Sequence, residues 1–275
     1  MITNVSGVAK TAYYCCGVRW RDAQRKEPLC GDHLTALFMD AAAQELFQRF
    51  EDLKLPNIVS ATRSRIIDDW LRDRLLADPE QLVILLGAGL DTRAFRLPGG
   101  RWVEVDAAGL IAEKERLLPA ARSPQPLTRL AVNFARERLA DALSAYEGEH
   151  AVVVMEGVSM YLTQTQMKAT LSGLRFLFPR HTLIADLMTR DFAARHAAEL
   201  QRRLNELGGA FAEDLTDAPA RAMTAEGYRP LSRLSMMVRA RELGAVPFPK
   251  PLLSTFLKGA RDGYAVHAFE AGPVR

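Results

Sequence analysis

Five short apolar runs, each bounded by turn or charged residues, constrain this chain more than any other feature. They are Leu82 to Leu86, Trp102 to Val105, Leu127 to Val132, Ala151 to Met155 and Thr182 to Leu187. Continuous apolar runs of this length suit strands buried on both faces of a parallel sheet. Segments of helical periodicity separate them. Ala107 to Leu118 puts Leu110, Ile111, Leu117 and Leu118 near one face, and Gln164 to Phe178 does so with Met167, Leu171, Leu174 and Leu177. Strand alternating with helix predicts an α/β fold with a doubly wound, mostly parallel, Rossmann-like sheet. Its crossovers should be right-handed.

Upstream of the first strand lies a largely helical stretch, roughly a quarter of the chain. Leu34 to Phe50 and Ser60 to Ala77 both carry apolar faces, with Pro56 and Asn57 between them. The expected organisation is a helical cap over residues 1–78 and a ligand-binding core over 79–275. The core carries a helical insertion around 190–227. Within that insertion Arg190 to Leu207 reads as a charged helix stopped by Gly208 and Gly209. The alternating run Gly263 to Phe269 reads as a strand at the sheet's edge. A chain of 275 residues can bury a core of this size.

The charge balance is nearly even, with 36 Lys and Arg against 33 Asp and Glu. The basic residues are scattered rather than gathered into a stripe, which argues against nucleic acid. No apolar run approaches the ~20 residues needed to span a bilayer. Met1 to Lys10 lacks the basic segment and apolar core of a secretory signal. The three cysteines, Cys15, Cys16 and Cys30, fit neither a disulfide framework nor a Cys-x-x-Cys zinc site. Reduced thiols in a cytoplasmic protein are the expectation. No His/Asp/Glu grouping has metal-ligand spacing, so no metal is expected.

The first strand runs directly into Gly87-Ala88-Gly89-Leu90-Asp91-Thr92. Glycines there allow a tight turn and close approach of a ligand to the backbone. A dinucleotide site would want a third glycine where Thr92 stands, and Asp91 puts a negative charge where a diphosphate would lie. A cationic, amino-acid-like nucleoside is tolerated instead; S-adenosyl-L-methionine (SAM), with a sulfonium, an ammonium and no phosphate, is such a ligand. Asp106 ends the second strand at the spacing where an acid holds ribose hydroxyls, with a cap for the following helix as the alternative. Asn133 and Phe134 end the third strand, where an amide and a ring could meet adenine; capping is the alternative for Asn133. Glu156 ends the fourth, and a carboxylate there is costly unless something binds it.

These residues resemble the leucine carboxyl methyltransferase family, including its bacterial relatives in polyketide and natural-product pathways. The matching pieces are Arg63-Ser64-Arg65 with Ile66-Ile67-Asp68-Asp69, Leu86 to Arg93, Glu104-Val105-Asp106, Val132-Asn133-Phe134 and Glu156 to Leu162, with Pro28 to Ala42 similar to the family's opening helix. Agreement is strong from Ser60 to Leu162 and fades after about Leu187, covering roughly two thirds of the chain. The resemblance implies a class I SAM-dependent methyltransferase. It assigns Arg63 to the carboxylate of SAM, Gly87, Ala88 and Gly89 to its methionine moiety, Asp106 to the ribose and Glu156 to the ammonium. Asn133 and Phe134 depart from the family's usual Asp-Leu beside adenine.

Methyl transfer is an in-line displacement, so alignment supplies most of the catalysis. A carboxylate acceptor is already ionised at neutral pH, whereas a hydroxyl usually needs a base. No base is evident in the matched core, since His33, His150, His181, His196 and His267 are scattered. The expectation is O-methylation of a small, anionic molecule, a carboxylate ahead of a hydroxyl. Tyr13, Tyr14, Arg19 and Tyr161 are candidate acceptor contacts, Arg19 as partner of an acid. A non-catalytic SAM-binding protein and an NAD-dependent oxidoreductase remain open alternatives. Oligomeric state is not legible.

Overall fold

A computed structural model of the chain describes residues 7–132, 137–247, 249 and 258–272. Among the described residues seven strands form one sheet, in the order β3-β2-β1-β4-β5-β7-β6. They are β1 (Leu82–Leu86), β2 (Arg101–Asp106), β3 (Leu127–Ala131), β4 (Ala151–Met155), β5 (His181–Met188), β6 (Tyr228–Ser235) and β7 (Tyr264–Ala271). The first five run parallel, while β7 runs antiparallel to both β5 and β6. All of β1 and β4 is buried, because helices cover both faces. Val83 and Leu85 pack into one apolar cluster, Leu82, Ile84 and Leu86 into another on the opposite face. The strand order reverses at β1, between β2 and β4, and doubly wound sheets open a ligand crevice at such a point beyond the strands' carboxyl ends.

Helices α1 (Thr11–Ala23), α2 (Ala41–Gln48) and α3 (Lys54–Ala77) precede the sheet. Within the alternating core come α4 (Arg93–Arg96), α5 (Ala108–Leu117), α6 (Leu139–Ala142) and α7 (Gln164–Leu177). After these come α8 (Arg190–His196), α9 (Ala198–Glu206), α10 (Pro219–Ala225), α11 (Met236–Glu242) and α12 (Lys258–Asp262). A capping box at Thr163 and Gln166 starts α7. No helix among the described residues is long and apolar enough to cross a membrane.

Four elements differ from the sequence reading. The stretch Leu34 to Phe50 is a 3-10 segment, His33–Phe38, followed by α2 rather than one helix. The break falls at Asp40, whose side chain accepts from the Ala43 amide and so begins a new helix. Pro56 does not separate helices, because α3 starts at Lys54 and a proline in the first turn forfeits no intrahelical donor. The strand at Tyr264–Ala271 is internal, and the edge is β6, which carries Pro230, a register irregularity and mostly exposed side chains. Arg190 to Leu207 is likewise two helices, meeting at Ala197.

Candidate active site

The carboxyl ends of β1, β2 and β4 lie level, since Leu86 pairs with Val105 and Val154 with Leu85. Immediately beyond β1 the backbone turns through Gly87 and Gly89, both left-handed at φ 67° and 51°. A Cβ on Gly87 would stand 2.4 Å from Val158 Cγ2, so conformation and space both require glycine there. The Gly87 and Ala88 amides donate to Val105 O at 2.9 and 3.1 Å, which ties the turn to β2. Gly89 N donates to Asp106 Oδ2 at 2.7 Å, and Ala107 N to Asp106 Oδ1 at 2.7 Å. Glycine turn and terminal acid are thus one hydrogen-bonded unit.

Asp106 has no ion-pair partner among the described residues. Burial raises its pKa, and the two backbone amides only partly offset that cost. Its under-solvated anion fits a ligand that brings hydroxyl donors, as a ribose does. The capping alternative is not met, since α5 starts at Ala108 with Ala107 at its N-cap and no side-chain cap bond; the carboxylate instead meets its neighbour's amide and lines the cavity.

Beyond β4 stands Glu156. Its Oε1 accepts from Arg63 Nε at 3.0 Å and Ser64 Oγ at 2.7 Å, and its Oε2 lies 2.7 Å from Arg93 Nη2. Burial by itself would raise the pKa, but Arg93, Arg63 and Arg19 together hold it far below the usual carboxylate range. Arg63 enters from α3, one turn into its buried stretch. Its Nη1 donates to Asp186 Oδ2 at 3.2 Å and Tyr264 Oη at 2.9 Å, leaving Nη2 with one long contact, 3.6 Å to Cys15 Sγ. Gly157 makes room for this guanidinium, because a Cβ there would stand 3.2 Å from Nη2.

These contacts belong to a larger ionic network that the sequence reading missed. Arg93 bridges Asp68 at 2.6 Å, Asp91 and Glu156; Arg96 joins Asp68 at 2.8 Å to Asp32 at 3.3 Å; Arg19 closes on Asp32 at 3.1 Å. Thr92 Oγ1 also donates to Asp32, at 2.7 Å. Its largely buried members are five carboxylates (Asp32, Asp68, Asp91, Glu156 and Asp186) and four guanidiniums (Arg19, Arg63, Arg93 and Arg96). Arg72, half-buried, reaches Asp68 from the surface side at 3.8 Å. Asp186 could have been found in the sequence by the reasoning applied to Glu156, being a carboxylate within the otherwise apolar, buried run Leu183 to Met188. Tyr264 carries no comparable signal.

A cavity of about 550 Å3 opens over these strand ends, a size usual for small-molecule sites. Arg63, Gly87, Ala88, Gly89, Asp106 and Glu156 all line it. Asn133 and Phe134 lie outside the described residues. Of the acceptor candidates, Tyr14, Arg19 and Tyr161 reach the wall, and Tyr13 does not, being packed in the core. Arg19 is already held by Asp32 and by Leu90 O at 2.8 Å. Tyr14 donates to Asn57 Oδ1 at 3.1 Å, and burial raises the pKa of Tyr161, which keeps it a phenol. His196, set aside in the sequence, also lines the cavity.

Glycine turn, terminal acid and cavity at the reversal of a doubly wound sheet are the arrangement at which open α/β sheets bind their ligands. The model of the leucine carboxyl methyltransferase family matches residues 14–175, more than half of the chain. The chain belongs to that family. A Parafrankia protein described as a SAM-dependent methyltransferase is 32% identical over 184 residues, covering 62% of this chain and 59% of that one. The tetracenomycin polyketide synthesis O-methyltransferase of Streptomyces glaucescens is 28% identical over 171 residues, covering 58% of each. The chain thus spans about three fifths of the length of these relatives. A Mycobacterium tuberculosis relative, also described as a SAM-dependent methyltransferase, is 27% identical over 233 residues, 78% of this chain and 76% of its own. Among solved structures, a DUF574 family protein of Streptomyces avermitilis superposes with a TM-score of 0.61 at 11% identity, covering 98% of this chain and 100% of that one. Magnesium protoporphyrin IX methyltransferase of Synechocystis, with bound S-adenosylhomocysteine (SAH), does so at 0.51 and 13% identity, covering 86% and 97%. These likenesses establish the fold, the Rossmann-like class I methyltransferase sheet.

Proposed function

We propose that this chain transfers the methyl group of SAM to an oxygen of a small organic acceptor. The observation that carries the reading is the convergence of Arg63, Gly87, Gly89, Asp106 and Glu156 on one cavity. SAM supplies an electrophilic sulfonium methyl and departs as a neutral thioether. Asp106 would take the ribose hydroxyls, which relieve its buried charge. The Nη2 of Arg63, the guanidinium edge with the weakest partner, is positioned for the donor's carboxylate. Glu156 Oε2 keeps a lone pair for the ammonium beside its single contact with Arg93. This division of roles treats residues 1–78 as a helical cap over a core spanning 79–275.

The name of the Streptomyces glaucescens relative supports O-methylation in polyketide synthesis. A carboxylate acceptor asks least of the protein, because it arrives ionised. A hydroxyl is the second reading, favoured by His196 on the cavity wall. Incubation with methyl-labelled SAM and a panel of aromatic acids and phenols separates the two. Base-labile label marks an ester, base-stable label an ether, and label on neither contradicts the O-methyltransferase reading.

A further inference from the structure

A guanidinium that is to meet a carboxylate has to be held in one plane, and Arg63 carries its own on a long, flexible stem. Two of its contacts come from the family-matched part of the chain, Glu156 Oε1 at 3.0 Å from Nε and Cys15 Sγ at 3.6 Å from Nη2. Two more come from beyond residue 175, where the family match ends. Nη1 donates to Asp186 Oδ2 at 3.2 Å and to Tyr264 Oη at 2.9 Å. The pairing of β5 with β7 sets these last two side by side. Asp186 lies opposite Val266 and Met188 opposite Tyr264, so Asp186 and Tyr264 are diagonal neighbours on one face of an antiparallel pair.

The direction of each hydrogen bond here is fixed by chemistry. A guanidinium only donates and a carboxylate only accepts, so the Tyr264 hydroxyl gives its single proton to Asp186 Oδ2, at 2.5 Å, and accepts from Nη1. Burial and the Asp186 charge push the phenol's pKa well above its ordinary value, which keeps that proton in place at neutral pH. Asp186 is anchored on its other oxygen, Oδ1 accepting from Gly157 N at 2.6 Å. The hydroxyl therefore does two things. It grips Nη1 a second time, and it takes up part of the Asp186 charge. Arg63 already faces two carboxylates, Glu156 and Asp186, and the carboxylate of a donor is a third. A proton shared with Asp186 lowers the repulsion that the third one meets.

Resting on the reading of Arg63 as the contact for the donor's carboxylate, we propose that Tyr264 is a positioning residue for SAM: with Asp186 it locks the Arg63 guanidinium and leaves Nη2 as the edge offered to that carboxylate. Tyr264 acts through Arg63 and gives the ligand no hydrogen bond of its own, because its proton is committed to Asp186. Its influence is confined to the amino-acid end of the donor. The nucleoside end rests on Asp106 and the glycine turn, which Tyr264 does not touch.

The test is titration calorimetry of wild type and Tyr264→Phe with two ligands, SAH and S-adenosyl-3-thiopropylamine, which is SAH without its carboxylate. The variant should bind SAH about 10-fold more weakly than wild type and the amine within about twofold. A role in stability alone weakens both ligands alike or neither, and either result overturns the proposal. Arg63→Lys supplies the second arm, because it keeps the buried positive charge and removes the planar fork. Adding Tyr264→Phe to Arg63→Lys should lower SAH affinity by less than about twofold. A loss in that background as large as in wild type means that Tyr264 acts independently of Arg63, which also overturns the proposal. Wild type that binds the two ligands equally well overturns the assignment of Arg63 to the carboxylate, and the proposal with it. Wild type that binds neither overturns the SAM-donor reading itself, an outcome distinct from a binding-competent protein that ignores Tyr264.

Discussion

Arg93 illustrates how a buried charge is kept. It is 1% exposed and meets Asp68, Asp91 and Glu156, so its guanidinium is held by three carboxylates from α3, the glycine turn and the end of β4. Removing one partner of such a group leaves the others charged and desolvated, which costs about 3–5 kcal/mol. Arg93→Leu should lose stability of that order in urea unfolding at neutral pH. A loss under about 1 kcal/mol would mean that the carboxylates find water or protons instead. The residue also shows where sequence reading stops. Asp91 and Arg93 stand two apart and could have been paired by eye, but Asp68 and Glu156 are brought to them only by the tertiary fold. Glycine turn and terminal acids were legible because each sits at the end of an apolar run. The network was not, because its members are spread from Arg19 to Asp186 and no local pattern links them.

The same contrast holds among elements. The strands β1 and β4 coincide with their apolar runs, because burial on both faces leaves an unbroken signature. The edge strand β6 has five consecutive exposed residues and a proline, so its pattern merges with loop sequence. Its partner β7 carries a testable consequence. His267 on β7 is 8% exposed and stacks on Phe269 with centroids 5.6 Å apart. Burial, helped by the Arg233 charge, pulls its pKa down to about 4. Above the ordinary histidine range neither the folded nor the unfolded chain carries this proton, so the residue contributes nothing to pH dependence there. Between about 6.5 and 4 the unfolded chain takes up a proton that the folded chain refuses, and stability falls as pH falls. His267→Phe keeps a ring against Phe269 and removes the titration. Urea unfolding at pH 7 and pH 5 should show the variant losing about 2 kcal/mol less than wild type between them; equal losses would contradict the burial argument. His181 on β5, bonded to Phe178 O and Tyr228 and likewise held neutral by burial, should leave a residual slope of the same sign in both proteins.

At the scale of the molecule, the chain divides its labour along the sequence. Residues 14–175, the family-matched part, supply the switch point, Arg63, Asp106 and Glu156. Residues after 175 close the cavity with an apolar wall. The first half could be read from sequence, because cofactor geometry is fixed by where a parallel sheet ends. The second could not, since helices α8 and α9 have ordinary amphipathic sequences and only their packing turns Phe192, His196 and Leu200 toward a shared space. The central claim is that the strand ends form one nucleoside pocket with Asp106 at the ribose. Titration calorimetry with SAH on wild type and Asp106→Ala addresses it directly. Saturable one-to-one binding, weakened about 10- to 100-fold by the substitution as befits the loss of hydrogen bonds to a charged group, is the predicted result. Flat heats in wild type, or equal affinity in both proteins, would contradict it.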